Sequence, residues 1–86
     1  SDFFSMSECR DLLFHVQEHQ FSIPQIADFL REIGFTFLGF ETPARTSYLR
    51  RFPDDRTATD LANWAAFEAE NPSTFATMYQ FWIQKN

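Results

Sequence analysis

The segment from Phe21 to Glu41, FSIPQIADFLREIGFTFLGFE, restricts what this chain can fold into more than any other stretch, because it spells a helix, a stop and a strand in succession. Ser22 and Gln25 stand at capping-box spacing: the Ser22 hydroxyl accepts from the Gln25 N–H while the Gln25 side chain reaches back to the Ser22 N–H. Phe21 stands where it would staple onto Ile26. Pro24 falls in the first turn, where its missing donor costs little. Ile26, Phe29, Leu30 and Ile33 recur at i, i+3, i+4 and i+7, one apolar stripe with Asp28, Arg31 and Glu32 turned to water. Gly34 supplies the left-handed stop. Phe35 to Glu41 is then aromatic and β-prone, and Gly39 inside it marks a bulge or a close backbone approach.

The core must be rich, since 86 residues make one small domain with little margin. Twelve Phe, two Trp and two Tyr provide for it, each fully buried ring contributing roughly 1.5 to 3 kcal/mol. So much aromatic surface reads in two ways, as a dense core or as a face awaiting a partner or another domain. Twelve acidic against seven basic residues leave a net charge of −5, which repels a phosphate backbone and argues against nucleic acid as a partner. There is no run of about 18 apolar residues to span a membrane, and no signal-peptide pattern. Cys9 is alone, so no internal disulfide forms and a reducing cytoplasm fits best. No base is placed to activate its thiol, and it reads as a small buried hydrophobe. The chain opens at Ser1 without Met, which suggests a piece excised from a longer protein.

In chain order, Ser5-Met6-Ser7-Glu8 reads as another capping box, opening a helix through Cys9, Leu12, Leu13 and Val16; a strand over Leu12 to Val16 is the competing reading. His15 to Phe21 reads as a polar connection. Thr42 to Ser47 has loop chemistry, and Tyr48 to Phe52 reads as a helical turn ended by Pro53-Asp54-Asp55. Thr57-Ala58-Thr59-Asp60 starts a further helix capped by Thr57, with Leu61, Trp64, Ala65 and Glu68 on one face. Asn71-Pro72 then reads as the start of a last helix, whose stripe is Phe75, Met78, Tyr79 and Trp82. The expected fold is a single small α+β domain, predominantly helical, with about four helices and one short β element.

His15-Val16-Gln17-Glu18-His19 matches H-x-x-E-H, in which two His one helical turn apart bind zinc and a Glu supplies the base. The motif needs a continuous helix and a distant third ligand, whereas Phe21-Ser22-Ile23-Pro24 starts a new helix just afterwards, so a zinc hydrolase is a remote alternative. No G-x-S-x-G elbow occurs, and Gly34 and Gly39 are too few and wrongly placed for a phosphate-cradling loop. Arg45, Arg50, Arg51 and Arg56 read as a solvated face, or as a contact for an anion or acidic partner.

Several blocks together carry a resemblance: SECRDLLFHVQEH over 7–19, IGFTFLGFE over 33–41, Arg51-Phe52-Pro53-Asp54-Asp55, Asp60-Leu61 with Trp64, Phe67-Glu68, and Thr74-Phe75 through Met78-Tyr79-Gln80-Phe81-Trp82. In order and spacing they resemble the C-terminal region of bacterial class I S-adenosylmethionine-dependent methyltransferases, notably a group fused to tetratricopeptide repeats. The likeness covers about residues 3–85. It implies that residues 1–86 are one C-terminal domain of a longer methyltransferase chain, non-catalytic by itself, covering the sheet edge or shaping the methyl-acceptor pocket. S-adenosylmethionine is then expected for the parent chain. This segment should not bind the methyl donor alone, since the glycine-rich loop and the ribose-binding acid are missing from it. The implied partners are the rest of the parent polypeptide and a protein methyl acceptor. Implied substrate-binding residues are His15, Glu18 and His19 as pocket groups, with Arg50 and Arg51 as an anion contact. The alternative from another class is a stand-alone helical interaction module that holds a protein through exposed aromatics on the last two helices.

Overall fold

The computed structural model describes residues 11–85. Within them the chain runs β1 (Asp11–Gln17), α1 (Ile23–Ile33), β2 (Phe35–Phe40), α2 (Arg45–Arg51), α3 (Leu61–Glu70) and β3 (Met78–Lys85). The strands form one sheet in the order β1-β3-β2, with β3 antiparallel to both neighbours. β1 and β2 therefore run parallel to each other on either side of it. No helix among the described residues is long and apolar enough to cross a membrane.

Three helices and a three-stranded sheet replace the expected four helices and one β element, and two segments account for the correction. Leu12, Phe14 and Val16 alternate along β1 and lie opposite Ile83, Phe81 and Tyr79, so the period of two prevails over the period of 3.6. The capping box at Ser5 to Glu8 lies outside the described residues. The expected last helix is β3: Tyr79, Phe81 and Ile83 are all buried on one face. A stripe through Phe75, Met78, Tyr79 and Trp82 fits a helix on paper. However, Ala76 has a φ of 57° and residues 72–77 are turns, so Phe75 and Met78 never join one helix. Aromatic and β-branched side chains on β3 then fit a pleated, half-buried surface.

The opening segment folds as its sequence dictates. Ser22 caps α1 with both capping-box bonds present, Ser22 N–H to Gln25 Oε1 at 2.8 Å and Gln25 N–H to Ser22 Oγ at 3.3 Å. Gly34 closes it with a φ of 79°, its N–H bonded to the Leu30 carbonyl. Phe21 remains exposed, so no hydrophobic staple accompanies the box. Ile23, Ile26 and Leu30 are buried, while Phe29 and Ile33 from the expected stripe stay exposed. The Asp60 carboxylate, rather than Thr57, caps α3 by accepting from the Asn63 N–H at 3.1 Å. Asn71 ends α3 instead of starting a helix.

Gly39 has a structural task. The ladder between β2 and β3 shifts between Phe37 and Gly39, so that Phe37 pairs with Ile83 and Phe40 with Phe81. Residues three apart in a regular strand point to opposite faces; one extra residue restores them to the same face. Both rings consequently reach the core, with centroids 5.0 Å apart and each about 6 Å from Phe81. Gly39 adopts a φ of 141°, where side-chain-bearing residues are strained.

The helices bury the inner face of this sheet through one aromatic cluster. Trp64 of α3 is fully buried, stacks on Tyr48 of α2 with centroids 3.9 Å apart, and meets Phe40 edge-on at 5.1 Å. Its indole N–H donates to the Ala58 carbonyl at 2.8 Å, so the one polar atom of the ring is satisfied. Replacing Trp64 with Ala should cost about 3 to 5 kcal/mol, comparable with the whole stability of a marginal domain. Urea titration followed by far-ultraviolet circular dichroism should show the folded baseline shortened or lost, and a cost below about 1 kcal/mol would contradict the central place given to Trp64.

Candidate functional site

Because β1 and β2 are parallel, their carboxyl ends lie on the same edge of the sheet, next to the start of β3. Three connections meet there: the turn after β1, the loop after β2, and the turns leading into β3. The Glu18 N–H donates to the Thr77 carbonyl at 3.0 Å, and the Glu41 N–H donates to the Gln80 carbonyl at 2.7 Å. These two bonds tie the ends of β1 and β2 to the two sides of β3.

On the helical side of this edge stands an acidic pair with a tyrosine. The Tyr79 hydroxyl donates to Glu68 Oε2 at 2.5 Å. Glu18 lies against the same carboxylate, with its Oε2 buried and without a hydrogen-bond partner. Burial, then the charge of Glu68, then the bond a protonated Glu18 makes to Glu68 raise the Glu18 carboxyl above its usual range. Burial and the Glu68 carboxylate also hold the Tyr79 hydroxyl well above its ordinary value, so it remains a donor. As two carboxylates the pair has no proton to share; a proton on Glu18 supplies one.

Of the site residues expected from the sequence, Glu18 alone enters this cluster. His15 lies on β1 opposite Gln80, on the face of the sheet away from the helices, and His19 is exposed in the turn. The H-x-x-E-H segment is thus strand followed by turn, without the helix that would set both imidazoles on one face. Among the described residues no group of three or more His, Cys, Asp or Glu is arranged to hold a metal ion. Arg51 donates from two guanidinium nitrogens to the two Glu70 carboxylate oxygens, each at 3.1 Å, and lies 4.6 Å from the Phe52 ring centroid, so its charge is already matched within the domain. Arg50 beside it is exposed. Asp55 accepts from the Tyr48 hydroxyl at 2.5 Å and from the Asp60 N–H at 2.9 Å; burial pushes its carboxyl up, but these donors outweigh burial and hold it below the usual range.

The other feature of this edge is a groove of about 350 Å³ between the loop after β2 and the start of β3. Glu41, Pro43, Phe75, Thr77, Met78 and Gln80 line it. Neither Glu41 nor Gln80 stood out as a site residue in the sequence, and Glu68 left only one clue, a carboxylate on the otherwise apolar face of α3. The aromatics expected on the last two helices divide: Phe75 and Tyr79 are buried, while Trp82 of β3 is 36% exposed on the outer face. No family model matches this sequence, and comparison with curated proteins and with solved structures likewise finds no match.

A group with a raised folded-state pKa binds more protons folded than unfolded, so its contribution is present below the unfolded value and is lost as pH rises through the folded one. For Glu18 that loss begins at about pH 4.5. Glu18→Gln, which carries no charge and keeps a donor for Glu68, should therefore have a higher urea midpoint than the parent near pH ~7.5, with the gap closing toward pH ~4. A gap that is independent of pH would remove Glu18 as its source.

Proposed function

We propose that this chain is the non-catalytic C-terminal part of an S-adenosylmethionine-dependent methyltransferase, where it extends the sheet of the parent enzyme and forms one wall of the methyl-acceptor pocket. The observation that carries the reading is the state of β1. Its inner row of Leu12, Phe14 and Val16 is apolar throughout, and Leu13 adds an apolar side chain on the outer face. In the described residues it pairs only with β3, Leu12, Leu13 and Val16 are half-buried, and Phe14 is 36% exposed. A long apolar edge strand left unpaired invites another strand. A strand from the parent chain would complete its ladder on the side away from β3.

On this reading the acceptor approaches the carboxyl ends of the strands, where open α/β sheets bind their ligands. Glu18 and His19 stand at that edge and His15 on the outer face of β1, while Arg50 offers the more remote anion contact and Arg51 would do so only by leaving Glu70. The parent chain contributes the methyl donor site, the reaction takes place in the cytoplasm, and the partners are the rest of the polypeptide and a protein acceptor.

Calorimetry with S-adenosylmethionine should show no heat of binding to this segment and saturable binding to a chain extended N-terminally. Hydrogen exchange should at the same time slow at those β1 amides that do not bond to β3. A longer chain that binds no donor and leaves β1 unprotected would sink the proposal.

A further inference from the structure

We propose that the groove at the carboxyl end of β2 is a binding site for an alkylammonium group, of the kind carried by a lysine side chain or a small free amine. Its volume of about 350 Å³ suits one such group, near the lower end of the range that small-ligand pockets occupy, roughly 300 to 1,000 Å³. The single charged side chain in its lining is the Glu41 carboxylate, so an anion is repelled and a cation attracted. Glu41 is exposed, and the ion pairs among the described residues, Arg31 with Asp28 and Arg51 with Glu70, leave it without a cation of its own.

The remaining lining fits the rest of the ligand. An ammonium presents three donors, and Glu41, Thr77 and Gln80 in the lining are residues whose side chains carry acceptor oxygens. Pro43, Phe75 and Met78 supply an apolar wall along which an alkyl chain lies, with Met78 able to adjust to its length. Ala76, between Phe75 and Thr77 in this wall, is held at a φ of 57°, a conformation costly for alanine and one that tends to persist at ligand-binding segments. The site is built from this chain alone and does not depend on the methyltransferase reading.

The test is a titration followed by two-dimensional amide NMR, with Nα-acetyl-lysine methylamide and with butylamine, and with Nα-acetyl-norleucine methylamide as the isostere that lacks the ammonium. Saturable shifts are expected at the amides of Glu41, Thr77, Met78 and Gln80 with both amines and not with the norleucine derivative. Tighter binding of the lysine derivative assigns a protein side chain, and equal or tighter binding of butylamine assigns a free amine. Glu41→Gln should weaken either about tenfold or more, as expected for a lost charge-assisted hydrogen bond. Glu41 is exposed, so this variant should keep the parent spectrum elsewhere, which the same data check. Absence of shifts at these amides, equal shifts with the norleucine derivative, or an unaltered response in Glu41→Gln would each overturn the proposal.

Discussion

β3 is hydrogen-bonded on both sides, and its inner row of Tyr79, Phe81 and Ile83 is the surface on which everything else in the domain rests. Without β3, β1 and β2 have no common neighbour, because they run parallel and do not touch. The strand that ends the described chain thus joins pieces that precede it by about forty to seventy residues, and the domain is closed by contacts distant in sequence. The aromatic cluster then couples sheet to helices: Phe40 meets Phe81 on the sheet and Trp64 on α3, and Trp64 stacks on Tyr48 of α2. A ring at each junction lets a small core bury much area per residue, which a domain of this size requires.

The same strand builds the functional edge. Tyr79 points into the core side and donates to Glu68, whereas Gln80, the next residue, points outward and lines the groove beside Glu41. Alternation along β3 therefore separates two chemistries that are neighbours in sequence: a desolvated acid pair on one face and an exposed acid groove on the other. The first is costly to ionise and acts on stability; the second costs nothing to leave charged and is open to a ligand.

Much of the fold between Ser22 and Phe40 was legible because its determinants are local. A capping box, a proline in the first turn, a left-handed glycine and a bulge glycine each act within a few residues, and no distant contact had to be known. β1 and β3 were not legible as strands in the same way. Leu12 to Val16 is a short apolar run that satisfies both periods, and Phe75 to Trp82 fits a helical stripe as well as alternation, so the choice fell to pairing between segments some seventy residues apart. The site followed the same division. Glu18 was singled out for a helical motif that a strand and turn replace, and its neighbours Glu68 and Tyr79 come from two other elements.

What the sequence determined by itself was α1, its two caps, the turn into β2, the bulge at Gly39 and the acidic balance that sets which partners are attracted. Those features depend on backbone conformations and charges that each residue carries wherever it is placed. Only the tertiary structure decided that the last segment is a central strand, that β1 pairs with β3 alone among the described residues, and that Glu18 shares its surroundings with Glu68. A strand's energy comes from its neighbours' hydrogen bonds and a carboxyl's pKa from what surrounds it, and neither is present until the chain has folded.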